Sequence, residues 1–253
     1  MKKKVSIYVS GDRNLVEEFI GSSGGGGWQI IGMINKSSAG KGFPPGMRQS
    51  AKIPRSVGIA IELSQDPGTK MNNLRSIERQ LRPDAVILSS SVLVTASAQS
   101  DWLRRADRLI GIGAFPTLLS RPLIEIACTV RTSDASLQSC LTFLKEFGKE
   151  VSVVQDRVGM VMPRILCMVI NEAAFALTEQ VASPSDIDTA MKLGTNYPHG
   201  PIAWGDAIGF DSVERLLLSL RDDLGEERYR PAPLLRQLAS GKAWWHGENP
   251  QKS

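Results

Sequence analysis

Short apolar runs recur along the first part of the chain, and each is bounded by Gly, Pro, Ser or Asp. This pattern is typical of buried strands. It predicts strands at residues 5–9, 28–34, 57–63, 84–90, 108–112, 122–130 and 151–154. Amphipathic stretches between them predict helices at residues 15–20, 70–81, 101–106 and 136–147. Strands that alternate with helices indicate a mostly parallel, doubly wound α/β sheet.

The pattern changes after Asp156, where helical periods cover residues 159–180, 186–193, 212–224 and 233–239. We therefore predict an α/β domain at residues 1–155 and an all-helical domain at residues 156–253. Two stretches rich in Gly, Ser, Pro or Lys interrupt the first domain. We interpret residues 21–27 as a flexible connector and residues 36–55 as a mobile loop.

Composition narrows the class of protein. With 42% hydrophobic and 22% charged residues the chain should pack around a core, and no apolar run is long enough to cross a membrane. The basic N-terminus lacks the pattern of a signal peptide, so we expect a cytoplasmic protein. The net charge of +4 could attract nucleic acid or the phosphates of a coenzyme. Because the basic residues are spread out and no nucleic-acid motif occurs, nucleic acid is not expected as a partner.

The residues that most often bind metals or act as nucleophiles are few. The three cysteines, Cys128, Cys140 and Cys167, match no metal-site spacing. We interpret them as buried reduced thiols, with a reactive cysteine as the alternative. The two histidines, His199 and His246, limit histidine-based catalysis further. No metal cofactor is expected.

Several separated motifs in the second half agree in order with one family. Residues 171–180 contain Asn-Glu-Ala, residues 186–194 read Asp-Ile-Asp-Thr-Ala-Met-Lys-Leu-Gly, residues 198–201 read Pro-His-Gly-Pro, and residues 229–233 read Tyr-Arg-Pro-Ala-Pro. Together they closely resemble the C-terminal domain of the 3-hydroxyacyl-CoA dehydrogenases. The resemblance implies a Rossmann-like N-terminal domain followed by an all-α dimerisation domain. It also implies NAD, an acyl-CoA ligand and a role in fatty acid metabolism.

The resemblance extends to the segment at residues 108–126, which aligns without gaps to the family segment that carries the catalytic histidine. Gly113 falls on that histidine, and Glu125 falls on the glutamate that supports it. In the family the histidine accepts the hydroxyl proton while hydride passes to NAD. Pro163 falls on an asparagine that contacts the reacting group. Glu125 is therefore either a vestigial, structural acid or an orienting acid that still works, with its partner positions substituted.

The expected nucleotide site also departs from the family. A Rossmann fingerprint needs Gly-x-Gly-x-x-Gly, and the aligned residues are Val9, Gly11 and Asn14. Asp12 would place negative charge beside a phosphate. Asn35 replaces the acid that binds the ribose hydroxyls. The family resemblance thus implies NAD, and the fingerprint argues against its binding.

Four further positions correspond to the family's cleft. Glu62 and Lys70 are candidates for its border, although we interpret both as solvated surface charges. Ser90 and Leu93 lie in the run that corresponds to the family's Ser-Asn-Thr-Ser-Ser, where Leu93 replaces a serine that contacts substrate.

Two hypotheses follow from these substitutions. The first is a divergent family member, a pseudoenzyme, that has lost or severely weakened NAD-dependent dehydrogenation and has a binding or assembly role. It would hold an acyl-CoA-like ligand, form a homodimer through the helical domain, or form a heterodimer with an active homologue. The second is a working dehydrogenase, or another acyl-CoA oxidoreductase, that uses a relocated base.

Overall fold

The computed structural model describes residues 5–22, 27–35 and 42–241. Within it the chain divides into two compact units, Met1–Met160 and Val161–Ser253. Parts of the predicted connector (residues 23–26) and of the predicted loop (residues 36–41) lie outside the described residues, as does His246.

The first unit is a sheet with helices on both faces. Its strands are β1 (Val5–Gly11), β2 (Trp28–Ile34), β3 (Met47–Gln49), β4 (Ile59–Leu63), β5 (Val86–Ser90), β6 (Leu109–Ile112), β7 (Leu123–Cys128) and β8 (Glu150–Val154). The helices are α1 (Arg13–Gly21), α2 (Pro67–Gln80), α3 (Ala96–Ser100) and α4 (Asp134–Glu146). The strand order is β3-β2-β1-β4-β5-β6-β7-β8, and only the β6–β7 pairing is antiparallel. The Rossmann-like prediction is confirmed.

Alternate residues of each strand reach opposite faces of the sheet. In β1, Ile7 and Val9 belong to one buried apolar cluster, whereas Tyr8 belongs to another. Both clusters are covered by helices, which is why the strands are almost continuously hydrophobic. From β1 the chain first builds β2 and β3 on one side and then returns to place β4 on the other. This reversal opens a crevice at the carboxyl ends of β1 and β4, where α/β proteins bind ligands.

Two predictions about the first unit are wrong. The predicted helix at 101–106 lies earlier, at α3, because Thr95 caps the helix there by accepting from the Ala98 N–H. Only the three-residue 3₁₀ turn Ala106–Arg108 follows it. The predicted loop at 36–55 contains β3, which pairs in parallel with β2 and extends the sheet. Backbone pairing at a sheet edge outweighed the loop-like composition of that stretch.

The second unit consists of α5 (Met162–Thr178), α6 (Pro184–Thr195), α7 (Pro201–Ile208), α8 (Phe210–Leu224) and α9 (Pro233–Gly241). The all-helical prediction is confirmed, although α7 falls between the predicted helices and was missed. Asn196 is the left-handed residue that ends α6 (φ 56°).

The family-like motifs of this unit are explained by its packing. The buried Asp188 carboxylate accepts from the Ile202 and Ala203 N–H groups (2.8 and 3.0 Å) and so caps the start of α7. A Cβ on Gly200 would lie 2.1 Å from the Asp188 Cγ, so the motif needs glycine there. Buried Asn171 holds the chain before α9, because it donates to the Arg230 carbonyl and accepts from the Ala232 N–H.

Candidate functional site

The position that corresponds to the family histidine lies just beyond the end of β6. The Gly113 N–H donates to the Glu125 carbonyl at 2.8 Å, which continues the β6–β7 ladder by one residue. Glu125 is buried on β7. The antiparallel strands β6 and β7 therefore bring Gly113 and Glu125 side by side.

A side chain at position 113 would contact two neighbouring side chains from its first atom. A Cβ built on Gly113 would lie 3.2 Å from the Glu125 Cβ and 3.4 Å from the Met160 sulfur. Met160 is buried and has a left-handed backbone (φ 47°). No motif or spacing in the sequence links residues 113 and 160. A thioether now lies against the position where a base would begin, and it neither accepts nor donates a proton near neutral pH.

The Ser90 hydroxyl, which was expected near the substrate, forms a hydrogen bond within the first unit. The buried Ser90 hydroxyl donates to the Ala114 carbonyl at 2.9 Å. The Gln99 amide donates to the Ser90 and Val94 carbonyls, which fixes the turn between them. Leu93 lies in this turn and is half-buried. Ser90 therefore ties the ends of β5 and β6 together.

At the end of β1, Gly11 is required by packing. Its φ is 149°, and a Cβ there would lie 2.6 Å from the Leu63 carbonyl carbon. Asp12 follows at the start of α1, but its carboxylate does not cap that helix. Instead its oxygens accept from the Asn35 amide at 2.7 Å and from the Gln65 N–H at 2.8 Å. Asp12 thus joins the carboxyl ends of β1, β2 and β4.

Asn35 uses both ends of its side-chain amide inside the protein. Its nitrogen also donates to the Ser64 hydroxyl at 2.9 Å, and its oxygen accepts from the Asn73 amide at 3.1 Å. Asn73, on α2, reaches the Ser64 hydroxyl as well (3.0 Å). The amide that replaces the family's ribose-binding acid is therefore buried and bound to side chains of the protein.

Glu62 and Lys70 were interpreted as surface charges, and that interpretation is wrong. Glu62 is 0% and Lys70 1% exposed, and the Lys70 Nζ lies 2.5 Å from a Glu62 oxygen. The other Glu62 oxygen accepts from the Ser64 N–H at 2.9 Å. Burial of two charges is tolerated because they neutralise each other and hydrogen bonds satisfy the carboxylate. The amphipathic pattern of α2 could not show that Lys70 faces inward.

These contacts form one connected set, which we call the strand-end network. It consists of Asp12, Asn35, Glu62, Ser64, Gln65, Lys70, Asn73 and Ser89. The network spans the carboxyl ends of β1, β2, β4 and β5, where a Rossmann fold would meet its nucleotide.

The remaining candidates lie elsewhere. Pro163 belongs to the second unit, buried in the first turn of α5, where proline is tolerated because the N–H it lacks has no partner in the helix. His199 packs edge-on against the Trp204 ring, with centroids 5.6 Å apart. Burial raises the pKa of the Cys140 thiol to about 12 and raises that of Cys167 as well. Cys128 is half-buried, and burial together with the Asp156 charge raises its pKa.

Residues 5–22, 27–35 and 42–241 contain no group of three or more His, Cys, Asp or Glu side chains that could hold a metal ion. Over the same ranges no helix has the length and hydropathy that a membrane span needs.

The architecture and the strand-end crevice define a Rossmann-like, two-unit protein, and comparison with known proteins gives its family. The model of the 3-hydroxyacyl-CoA dehydrogenase C-terminal domain matches residues 159–244, and the model of that family's NAD binding domain matches residues 52–157. The chain belongs to the 3-hydroxyacyl-CoA dehydrogenase family.

Individual relatives agree with this assignment. The chain is 36% identical over 185 residues to a 3-hydroxyadipyl-CoA dehydrogenase of Escherichia coli, over 73% of this chain and 38% of that protein. It is 33% identical over 172 residues to a 3-hydroxybutyryl-CoA dehydrogenase of Bradyrhizobium diazoefficiens, over 68% of this chain and 58% of that protein. The chain thus covers less than two thirds of either relative.

The fold agrees with a solved structure as well. The (S)-3-hydroxybutyryl-CoA dehydrogenase PaaH1 from Ralstonia eutropha superposes with a TM-score of 0.77 at 24% identity, and the match covers 96% of this chain and 95% of that one.

The end of β1 can now be tested against the pyrophosphate of NAD, the cofactor that the family implies. The match to the NAD binding domain begins at residue 52 and leaves out β1, α1 and β2, the βαβ unit that carries a Rossmann fingerprint. In that unit Asp12 presents a carboxylate at the helix N-terminus, where a phosphate would need positive potential. Both of its oxygens already accept hydrogen bonds. The residues at this position do not fit a pyrophosphate.

Proposed function

We propose that this protein does not carry out NAD-dependent dehydrogenation and serves fatty acid metabolism as a binding or assembly protein. Its ligand is acyl-CoA-like, or its partner is a homologous subunit. The proposal takes membership of the family as given and concerns only what this chain does.

The observation that carries the proposal is the contact between Gly113 and Met160. Oxidation of a hydroxyl needs a base within hydrogen-bond reach of its proton. From Gly111 to Leu119 the chain offers no titratable side chain, and the Met160 sulfur lies against the position from which a base would extend. Glu125 remains as a buried acid on β7, beside Gly113.

The strand-end network supports the same conclusion from the nucleotide side. Asp12 supplies from within the protein a negative charge that would repel a pyrophosphate, and Asn35 is held by Ser64 and Asn73. Opening the crevice would break buried hydrogen bonds, each of which costs about 1–3 kcal/mol when a partner is left unsatisfied.

The assembly role draws on the helical unit. Ile165 on α5 is 53% exposed and Leu193 on α6 is 83% exposed. We take these two side chains as contact positions because the family resemblance implies that this domain forms dimers. A homodimer is the first expectation, and a heterodimer with an active homologue is the second.

Turnover of acetoacetyl-CoA with NADH tests the proposal. We expect no oxidation of NADH by the protein alone, and none beyond the homologue's own rate when an active homologue is added. Gly113→His combined with Pro163→Asn should restore nothing, because the nucleotide site is closed as well. Turnover that Glu125→Gln abolishes would overturn the proposal and establish a working enzyme with a relocated base.

Light scattering during size exclusion tests the assembly role. We expect a dimer that Ile165→Asp with Leu193→Asp converts to a monomer, while the exposed polar change Lys192→Asp leaves it intact. A monomer that also fails to associate with an active homologue would contradict this part of the proposal.

A further inference from the structure

A groove of about 590 Å³ lies in the first unit, at the edge of the sheet opposite to the strand-end network. It is formed by the end of α2 and by the segments that lead into β5 and β6. Its lining residues are Arg75, Glu78, Arg79, Leu81, Pro83, Trp102, Arg104, Arg105 and Arg108. Because these segments precede their strands, the groove lies at the amino ends of β5 and β6. We call it the arginine groove.

One of these arginines has a structural role. Arg108 is 4% exposed and donates to the Arg82 and Glu78 carbonyls (2.8 and 3.0 Å), so it neutralises the C-terminal end of α2. Its Nε is buried and has no hydrogen-bond partner within the described part of the chain. Burial and the charge of Arg105 lower the pKa of Arg108, although Glu78 and Asp107 act in the opposite direction.

The positive charge of the other arginines in the groove is only partly balanced by the acidic side chains near them. Arg105 pairs with Asp107 at 3.1 Å, and Glu78 accepts from the Arg105 N–H at 2.8 Å. Arg79 and Arg104 are exposed, and neither side chain has an ion pair or hydrogen bond to any residue of the described ranges. Arginine is the side chain best suited to bidentate contact with phosphate oxygens.

The groove also contains an aromatic ring. Trp102 is half-buried and packs on the core beneath it. Its backbone carbonyl accepts a hydrogen bond from the Arg75 Nε at 3.3 Å. A fixed indole beside arginines can stack with a base while the arginines hold phosphates. The concave volume lies in the range of small-molecule sites rather than that of extended surfaces.

We propose that the arginine groove binds a nucleoside polyphosphate, with the phosphates on Arg79 and Arg104 and the base on Trp102. The site is separate from the family's cleft, so it stands or falls independently of the proposed function.

Calorimetric titration with ATP, tripolyphosphate and adenosine tests this site. We expect saturable binding of ATP that the paired change Arg79→Glu with Arg104→Glu weakens by about tenfold or more, since a charged hydrogen bond contributes at least that much. Trp102→Leu should weaken ATP by about fivefold or more and leave tripolyphosphate unchanged. The matched control, Arg215→Glu with Arg236→Glu, reverses two exposed arginines of the helical unit and should change neither.

Three results would overturn the proposal. They are absence of saturable ATP binding at millimolar concentration, equal ATP affinity in the Arg79 and Arg104 variant, and tighter binding of a short single-stranded oligonucleotide than of ATP. Thermal unfolding of each variant checks that it is folded. If the glutamate variant unfolds at a lower temperature than the natural sequence, Arg79→Gln with Arg104→Gln serves in its place, because it removes the two positive charges without adding negative ones.

Discussion

Two corners of the same sheet edge are held together in different ways. At the β1–β4 corner polar side chains bind one another: Asp12 accepts from Asn35, which donates to Ser64 as well, and Lys70 lies against Glu62. At the β6–β7 corner Gly113 stands beside Glu125, and the Met160 sulfur lies within contact distance of a Cβ built on Gly113. Internal polar contacts therefore stabilise one corner, and apolar packing stabilises the other.

The largest effect is expected at the buried ion pair of the β1–β4 corner. Lys70→Met should lower the free energy of unfolding by about 3–5 kcal/mol, because it leaves the Glu62 charge buried and uncompensated. Denaturant unfolding measures it. Adding Glu62→Gln to Lys70→Met should recover part of the loss, since the amide oxygen still accepts from the Ser64 N–H. Arg82→Met, which breaks the exposed Arg82–Asp84 pair, is the control and should cost about 0–1 kcal/mol. A similar cost for Lys70→Met would show that the pair is solvated.

At the β6–β7 corner, Gly113→His should cost about 1–3 kcal/mol, because the new side chain meets Glu125 and Met160 in a packed site. Adding Met160→Ala should reduce this penalty, and a double-mutant cycle measures the coupling. Additive effects of the two changes would mean that Met160 does not occupy the position of the missing base.

A comparable effect is expected from Asp12→Ala, which removes the carboxylate that accepts from the Gln65 N–H and the Asn35 amide and should cost about 1–3 kcal/mol. Asn35→Ala should couple to it, since the two side chains share a hydrogen bond. If Asp12→Ala leaves stability unchanged while Asn35→Ala lowers it, the carboxylate is not part of the network.

The smallest effect is expected in the reactivity of the cysteine thiols. This reactivity reports whether a substitution at the β6–β7 corner disturbs the core around it. Burial holds the pKa of Cys140 near 12, above its unfolded value, so this thiol stays protonated in the fold. Its contribution to stability is complete below the unfolded pKa and is lost as the pH rises toward 12. At pH 8 only the half-buried Cys128 should react with a disulfide reagent, and Cys128→Ser should remove that phase. Fast reaction of Cys140 in the Gly113→His variant would show that the β6–β7 core has opened.

Much of the fold could be predicted from sequence because apolar periodicity reports burial directly. The alternation of strands and helices led to the Rossmann-like sheet, and ordered motifs led to the helical unit. The polar pattern misled at Lys70 and Glu62, since a paired charge inside looks like a surface charge in sequence. The position of Met160 beside Gly113 could not be predicted, because it depends on a contact between residues that are 47 positions apart. Asp12 carried a usable signal, an acid directly after the fingerprint glycine.

The most direct test of the central claim is thermal unfolding with and without NADH, in the natural sequence and in the Arg79→Glu with Arg104→Glu variant. A ligand at 100 times its Kd stabilises a protein by about 2.7 kcal/mol. We predict that NADH shifts the unfolding temperature less in the variant than in the natural sequence, because the variant's arginine groove binds a nucleotide about tenfold or more weakly. An equal rise in both proteins would contradict the account, because the nucleotide would then bind at the strand ends.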